Sequence, residues 1–374
     1  MSTFEQLGIN PEFIQALTEL GIVTPTPIQQ EAIPIMMQGA IDIVGQAQTG
    51  TGKTAAYGLP LLQRINPTKG VIQGLILCPT RELGQQVAKQ LFKFTKYGPK
   101  KIFTEAVYGG AHIQDQMNAL KRPTHIVVAT PGRLIDLLNK KAIDLSNVKT
   151  VILDEADEML TMGFKKELDE ILTHTAGAKS KWLFSATIPH EILQIVNNHM
   201  SPEAHRITTS KKDVVNKNIE HKYLVCDDRD KFNVLLQFLQ SEKDERGIIF
   251  CRTKVATKRL AEQLIAKGIG VAAIHGDLKQ LERDKALRGF KNENLRILVA
   301  TDVAARGLDI EALAFVVHFE LPDKDEYYTH RSGRTARAGK RGVSLCLVNS
   351  KELKSIKYLE KNLGIGFKQV RQVK

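Results

Sequence analysis

The sequence has few of the features that mark secreted, metal-binding or membrane-spanning chains. Its four cysteines, Cys78, Cys226, Cys251 and Cys346, are widely spaced and form no CxxC pair, so neither a zinc site nor a disulfide framework is indicated. The N-terminus lacks the basic and then apolar layout of a signal peptide, and no apolar run approaches membrane-spanning length. A reducing cytoplasmic compartment is therefore the simplest expectation.

Aromatic residues are also scarce, at 6% of the 374 residues, whereas lysine and arginine outnumber aspartate and glutamate by 53 to 41. The net charge of +12 indicates a polyanionic partner, although a basic protein without one would have the same composition. The length and a hydrophobic content of 43% are sufficient for two ordinary domains.

Short apolar runs alternate with amphipathic segments along the chain, and such runs are typical of buried parallel strands. This alternation predicts an α/β fold with parallel sheets covered by helices. The predicted strands are Ile41–Val44, Leu75–Cys78, Ile126–Ala129, Val151–Leu153, Trp182–Phe184, Ile248–Cys251, Val271–Ile274, Ile297–Ala300, Phe315–Phe319 and Ser344–Val348.

A polar stretch without apolar periodicity separates the two halves. We interpret residues 208–217 as a short flexible linker between one domain of residues 1–207 and a second of residues 218–374. The two halves are candidates for distant structural copies, although their residues alone do not show it.

A glycine-bearing turn follows the first predicted strand and opens a helical segment. In this layout backbone N–H groups and the helix N-terminus bind phosphate, Lys53 reaches the β- and γ-phosphates, and the Thr54 hydroxyl holds Mg²⁺. Ala47 replaces the glycine that usually starts the pattern. The alternative is a glycine turn with a solvated lysine. The turn residues assigned to nucleotide binding are Thr49, Gly50, Thr51, Gly52, Lys53 and Thr54.

Two adjacent carboxylates end the apolar run Val151–Leu153. Asp154 stands where a phosphate-loop NTPase places its second Mg²⁺-organising carboxylate, and Glu155 can orient or deprotonate an attacking water. The alternative is an acidic helix N-terminus that is favoured by the helix dipole.

Most other polar signatures also begin where a strand ends. In open α/β sheets ligands bind outside the carboxyl ends of the strands. We therefore expect each domain to present a functional edge, and the simplest arrangement has the two edges facing each other across a cleft.

With these motifs in view, nearly the whole chain resembles a DEAD-box ATP-dependent RNA helicase of superfamily 2, in the form of a bacterial-type minimal core with two tandem RecA-like domains. The matching segments occur in the family's order. They are Phe4 with residues 21–29, the phosphate loop, 79–83, 109–110, 130–133, 154–157, 185–187, 249–252, 280–283, 300–309 and 330–337.

The resemblance implies roles for residues of the ATP site. Gln29 carries the donor and acceptor that match adenine, and Phe4 offers an aromatic face to the base. Arg334 and Arg337, three residues apart, are expected on one face of a helix as arginine fingers. The position between them, Ala336, is usually glycine in the family. Further roles are nucleotide contact for Gly307 and Asp309, coupling of the ATP and RNA sites for Ser185 and Thr187, catalysis for Lys53, Asp154, Glu155, Arg334 and Arg337, and Mg²⁺ binding for Thr54 and Asp154.

The RNA site implied by the resemblance consists of arginines, hydroxyls and glycines, which contact phosphates and sugars and read little sequence. No aromatic residue is expected among these motifs, so base stacking is not predicted. The RNA-binding residues are Pro79, Thr80, Arg81, Gly109, Gly110, Thr130 and Arg133 in the first half, and Arg252, Thr253, Gly276, Arg283, Thr301 and Asp302 in the second.

The expected activity is RNA-stimulated ATP hydrolysis that separates RNA duplexes locally and non-processively or remodels ribonucleoproteins. A catalytically weak RNA clamp and a DNA translocase are the competing hypotheses. The resemblance further implies a monomer without membrane association, and proteins of ribosome assembly or RNA degradation as partners.

Overall fold

The computed structural model describes residues 2–48, 50–208, 218–305, 308, 313–336 and 341–370. The chain divides into two compact units, Met1–Thr209 and Ser210–Lys374, here called unit 1 and unit 2. Within the described ranges, none of the helices is both long and apolar enough to cross a membrane.

Unit 1 contains a seven-stranded parallel sheet with the order β3-β4-β2-β5-β6-β1-β7. Its strands are β1 (Ile43–Gln46), β2 (Gly74–Leu77), β3 (Thr104–Val107), β4 (Ile126–Ala129), β5 (Thr150–Asp154), β6 (Ser180–Ser185) and β7 (His205–Thr208). Its helices are α1 (Pro11–Glu19), α2 (Pro27–Met37), α3 (Lys53–Arg64), α4 (Arg81–Phe94), α5 (Ile113–Leu120), α6 (Pro131–Asn139), α7 (Ala156–Thr161), α8 (Lys165–His174) and α9 (His190–His199).

Unit 2 contains a second seven-stranded parallel sheet, with the order β10-β11-β9-β12-β13-β8-β14. Its strands are β8 (Ile219–Val225), β9 (Gly247–Phe250), β10 (Val271–Ile274), β11 (Ile297–Ala300), β12 (Phe315–His318), β13 (Gly342–Val348) and β14 (Phe367–Gln369). Its helices are α10 (Lys231–Ser241), α11 (Lys254–Ala266), α12 (Gln280–Lys291), α13 (Asp302–Ala305), α14 (Asp325–Ser332) and α15 (Leu353–Leu363).

The central strands are buried on both faces, which explains why they appear in the sequence as continuous apolar runs. In β4, Ile126 and Val128 belong to the apolar cluster on one face of the sheet, whereas Val127 and Ala129 belong to the cluster on the other. The predicted α/β fold with parallel, helix-covered sheets is confirmed.

Four strands were not predicted: β3, β7, β8 and β14. Three of them lie at sheet edges and β8 lies beside an edge. Because such strands are partly exposed, they carry polar residues and lack an apolar run; in β7, for example, only Ile207 is buried. Thr208, which was assigned to the linker, ends β7, and residues 209–217 of that segment lie outside the described residues.

Candidate active site

The phosphate loop connects β1 to α3 and brings a tight turn against a buried amide. Gly52 is the N-cap of α3 with a φ of 90°, and a Cβ there would lie 2.4 Å from Gln29 Nε2, so only glycine fits without a shift. The Thr51 hydroxyl donates to the Gln48 carbonyl at 2.8 Å. The turn therefore delivers the N-terminus of α3, with its unsatisfied amides, to the end of the sheet. Thr49 lies outside the described residues.

Lys53, the first residue of α3, faces Asp154 at the end of β5. Their Nζ and Oδ1 atoms are 3.9 Å apart, and the two side chains are only 7% and 3% exposed. Neither atom has a hydrogen-bond partner among the residues that the structure describes. Buried charged atoms rarely remain unsatisfied, so this geometry fits a site that an anion and a cation complete.

The other carboxylate oxygen of Asp154 is held in place. Tyr57, also on α3 and fully buried, donates its hydroxyl to Asp154 Oδ2 at 2.8 Å. Burial raises the pKa of the Asp154 carboxyl, and the positive charge of Lys53 opposes that rise. A divalent cation at Oδ1 would favour the ionised carboxylate, and Thr54, the residue after Lys53, was predicted to offer a second hard oxygen ligand.

Glu155 has a strained backbone. It is the N-cap of the short helix α7 with φ 51° and ψ 52°, the left-handed region that residues other than glycine rarely occupy. Such strain costs roughly 1–3 kcal/mol and clusters at functional sites. The sharp change of direction between β5 and α7 therefore places two carboxylates side by side at the end of the strand.

Asp157 connects these carboxylates to the segment after β6. One of its oxygens accepts hydrogen bonds from the Thr187 amide at 2.9 Å and hydroxyl at 2.8 Å, and its own amide donates to the Ser185 hydroxyl at 3.1 Å. Ser185 and Thr187 were predicted as coupling residues, but Asp157 was not included with them. Its place in the 154–157 motif, two residues after Glu155, was the available signal.

Gln29 is buried rather than displayed on the surface. Its Oε1 accepts from the Thr26 amide and its Nε2 donates to the Gly52 carbonyl, both at 2.9 Å, so it ties α2 to the phosphate loop. One further hydrogen on Nε2 and one lone pair on Oε1 remain for a base. Phe4 is packed in the core of unit 1, and its role in base stacking stays a prediction.

The predicted RNA residues of unit 1 lie at the ends of β2, β3 and β4. The Arg81 guanidinium stacks on the Tyr108 ring at 4.7 Å, and Gln85 donates to the Tyr108 hydroxyl at 2.7 Å. Tyr108 directly precedes Gly109. The expectation that no aromatic residue lies among these motifs was therefore wrong, because a low overall aromatic content does not exclude a single ring at one motif.

The remaining unit 1 residues are held by hydrogen bonds that each involve a backbone amide or carbonyl. Gly109 donates its amide to the Thr130 hydroxyl at 3.3 Å, and Arg133 donates to the Ala111 carbonyl at 3.0 Å. The Thr80 hydroxyl accepts from the Leu83 amide and caps α4. Pro79, at the end of β2, and Gly110, with a φ of 80°, complete this group.

In unit 2 the predicted RNA residue Asp302 is engaged by Arg331. Arg331 is 1% exposed, donates to both Asp302 oxygens at 2.6 and 2.7 Å and to the Glu320 carbonyl, and stacks on Phe250. Asp302 therefore anchors α13 to α14. Arg331 was not among the predicted site residues, although it lies within the 330–337 motif.

Most of the other unit 2 residues follow strand ends, whereas Arg283 lies within α12. Arg283 donates to the Ala304 carbonyl at 2.9 Å, and the Thr253 hydroxyl caps α11 by accepting from Ala256. The Arg252 amide donates to Glu320 at 2.7 Å. Gly276 and Thr301 follow β10 and β11 respectively.

Arg334 is buried, and its guanidinium donates to the Leu308 carbonyl at 3.1 Å. The expectation that Arg334 lies on a helix was wrong: α14 ends at Ser332, Thr335 bridges to Leu313, and Ala336 has a φ of 56°. A residue with that φ cannot continue a helix. Arg337, Gly307 and Asp309 lie outside the described residues.

Comparisons with known proteins match this arrangement. A family model for DEAD/DEAH box helicases matches residues 26–195, and one for the helicase conserved C-terminal domain matches residues 230–339. The DEAD-box ATP-dependent RNA helicase CshA of Bacillus cereus is 45% identical over 361 residues, which cover 96% of this chain and 68% of the relative. CshA of Geobacillus kaustophilus is 42% identical and covers 96% of this chain and 76% of its own length.

Among solved structures, Saccharomyces cerevisiae Dbp5 bound to RNA and ADP BeF3 is similar with a TM-score of 0.89 and 29% identity, covering 99% of this chain and 96% of that chain. The two parallel sheets and these relatives agree: the chain belongs to the DEAD-box ATP-dependent RNA helicase family.

Proposed function

We propose that this protein hydrolyses ATP when it is bound to RNA, and that it uses the cycle to separate short RNA duplexes or remodel ribonucleoproteins without stepping along the strand. The observation that carries the proposal is the buried pair of Lys53 Nζ and Asp154 Oδ1, 3.9 Å apart and without hydrogen-bond partners among the described residues. A nucleotide phosphate satisfies the lysine, and a hard cation satisfies the carboxylate.

Each residue of unit 1 then has a specific task. Lys53 neutralises phosphate charge, and the N-terminus of α3 supplies amide donors. Asp154 and Thr54 would hold Mg²⁺, which neutralises the charge that develops on the phosphoryl oxygens. Glu155 orients and deprotonates the attacking water, and its strained backbone fixes its position beside Asp154.

Unit 2 completes the catalytic group in this proposal. Arg334 and Arg337 stabilise the charge on the transferred phosphoryl, and Gly307 and Asp309 contact the nucleotide. Hydrolysis then requires both units to engage one nucleotide. The hydrogen bonds between Asp157 and Thr187 give a physical route by which the segment after β6 senses the state of the carboxylates.

RNA is held through its backbone. The predicted arginines and capping hydroxyls offer donors to phosphates and 2′-hydroxyls, which distinguish RNA from DNA without reading sequence. Binding of one strand in a bent form would displace its complement, and hydrolysis would release the strand. We further propose that the protein acts as a monomer, with proteins of ribosome assembly or RNA degradation as partners.

The proposal is tested by ATP hydrolysis and strand separation on duplexes of increasing length. We expect RNA to stimulate hydrolysis, DNA to fail, unwinding to fall steeply as duplex stability rises, and salt to weaken it because phosphate contacts are screened. Efficient unwinding of duplexes many turns long, or equal stimulation by single-stranded DNA, would favour a translocase. RNA binding without stimulated hydrolysis would favour the clamp.

A further inference from the structure

A recess with a volume of about 780 Å³ lies on unit 1, and none of its lining residues is assigned to ATP or RNA. It is formed by the C-terminal end of α1, the C-terminal end of α4 and the segment that leads into β3. This volume is in the range of sites that hold a few apolar side chains or a small ligand. The lining residues on which the argument rests are Ala16, Leu20, Phe92, Lys93, Lys101 and Phe103.

The walls of the recess are apolar and carry aromatic rings that point to solvent. Phe92 is 73% exposed and Phe103 is 49% exposed, and both line the recess. Tyr97, whose hydroxyl donates to the recess residue Glu19, is 38% exposed. In the described part of unit 1, these three are the exposed large aromatic residues. Single exposed apolar residues need no explanation, but a cluster around a concavity is typical of a protein interaction site.

The rim is basic. Between Glu82 and Glu105 the sequence contains five lysines and no acidic residue. Lys96 pairs with Glu19, whose other oxygen accepts from the Tyr97 hydroxyl at 2.6 Å, so this cation is already neutralised. Lys93 and Lys101 are exposed and, among the described residues, form no salt bridge. Two available cations therefore flank an apolar depression.

The combination of an apolar depression and two cations favours an acidic peptide over RNA as the ligand. A site for single-stranded RNA has a continuous series of cations along the RNA backbone and flat aromatic rings on which the bases stack. Here one wall carries the Glu19 carboxylate, and the centre is a depression lined by aliphatic and aromatic side chains. A peptide with a large apolar anchor and flanking carboxylates matches both the depression and the two lysines.

We infer that this recess is a docking site for an acidic peptide segment of a partner protein, with an aromatic or aliphatic anchor inserted between Phe92 and Phe103 and carboxylates against Lys93 and Lys101. The inference is independent of the proposed catalytic cycle, because none of these residues belongs to the ATP or RNA sites.

Selection of displayed random linear peptides on the full chain tests this inference. We expect enriched peptides to share an apolar anchor flanked by aspartate or glutamate, and their binding to weaken with salt. Phe92→Ser, and Lys93→Glu combined with Lys101→Glu, should each weaken binding about tenfold or more. Val71→Ser, and Lys140→Glu combined with Lys166→Glu, are the matched controls and should bind normally.

Trp182 fluorescence reports whether each variant folds, and RNA-stimulated ATP hydrolysis should be unchanged in all of them. Enriched peptides without the acidic and apolar pattern, or with unchanged binding to the Phe92 and lysine variants, would overturn the inference. Weakened binding of single-stranded oligouridylate by the double lysine variant would instead assign the surface to RNA.

Discussion

The two units have the same topology, but the equivalent buried lysine of each unit has different charged partners. When strands are numbered within each unit, with β8 as the first strand of unit 2, both sheets have the order 3-4-2-5-6-1-7. The helix after the first strand begins at Lys53 in unit 1 and at Lys231 in unit 2, and both lysines are buried.

In unit 2 this lysine is neutralised by its own chain. Lys231 pairs with Asp228 at 3.0 Å and with Glu352 at 3.3 Å, and the preceding turn contains aspartates instead of glycines. In unit 1, among the described residues, Lys53 has one carboxylate within 4 Å, that of Asp154 at 3.9 Å, and the preceding turn contains glycines. The comparison teaches that the fold supplies a helix N-terminus twice, and that the turn sequence decides whether it can accept a phosphate.

Removal of the water-activating carboxylate should have the largest effect. Glu155→Gln is expected to lower RNA-stimulated hydrolysis by about 10²–10⁴-fold while nucleotide and RNA binding persist, because only proton transfer is lost. Steady-state ATPase rates and filter binding measure the two properties. Glu170→Gln on the exposed face of α8 removes the same charge elsewhere and should be silent. Normal ATP turnover in Glu155→Gln would show that Glu155 is not the general base.

Acid is expected to destabilise unit 2 at a higher pH than unit 1. Unit 2 contains a buried polar network in which His221 hydrogen-bonds to Tyr328 and His318 to Ser344. Burial lowers the pKa of His221 to about 4 and that of His318 well below its usual value. Between about pH 6.5 and pH 4 the unfolded state therefore binds more protons than the folded state. Over that window His221 alone lowers the free energy of unfolding of unit 2 by about 3 kcal/mol.

Asp154 makes the opposite contribution to the stability of unit 1. Because its pKa is raised by burial, its protonation at low pH removes part of the free-energy cost of the buried charge. The single tryptophan, Trp182, is buried in unit 1 and reports that unit alone. On acidification, circular dichroism should show a loss of structure before Trp182 fluorescence changes. Coincident transitions by both probes would contradict the assignment.

We expect only residues of unit 1 to recognise the adenine base, since Gln29 lies on α2 next to the phosphate loop. Gln29→Ala is expected to reduce the preference for ATP over GTP by about 1–3 kcal/mol. Ratios of kcat/KM for the two nucleotides measure this. Gln30→Ala, which removes the neighbouring amide, serves as the control. Equal use of both nucleotides by the unaltered protein would contradict the role.

The smallest effect is expected at Ala336, where unit 2 holds an alanine in the left-handed region. Ala336→Gly should stabilise the unit by about 1 kcal/mol because the Cβ strain is removed. The midpoint of denaturant unfolding by circular dichroism measures it. Ala305→Gly, at a helical position, should instead destabilise. A lower midpoint for Ala336→Gly would show that the alanine is not strained.

The sequence predicted the central strands, because strands buried on both faces appear as continuous apolar runs, as in Ile126–Ala129 and Ile297–Ala300. It therefore also predicted which strand ends the motifs follow. The four missed strands, β3, β7, β8 and β14, lie at or beside sheet edges and contain polar residues, whereas the edge strand β10 was predicted because Val271–Ile274 is a continuous apolar run. In the site, motif spacing predicted Lys53 and Asp154. It could not show that Asp302 is already paired or that α14 ends at Ser332, before Arg334, because both depend on contacts between distant segments.

The measurement that tests the comparison most directly is a calorimetric titration of the full chain with a non-hydrolysable ATP analogue. The account predicts one nucleotide per chain, no binding by Lys53→Ala and unchanged binding by Lys231→Ala, whose folding is checked by circular dichroism. Two nucleotides per chain, or binding that is lost in a folded Lys231→Ala variant and kept in Lys53→Ala, would contradict it.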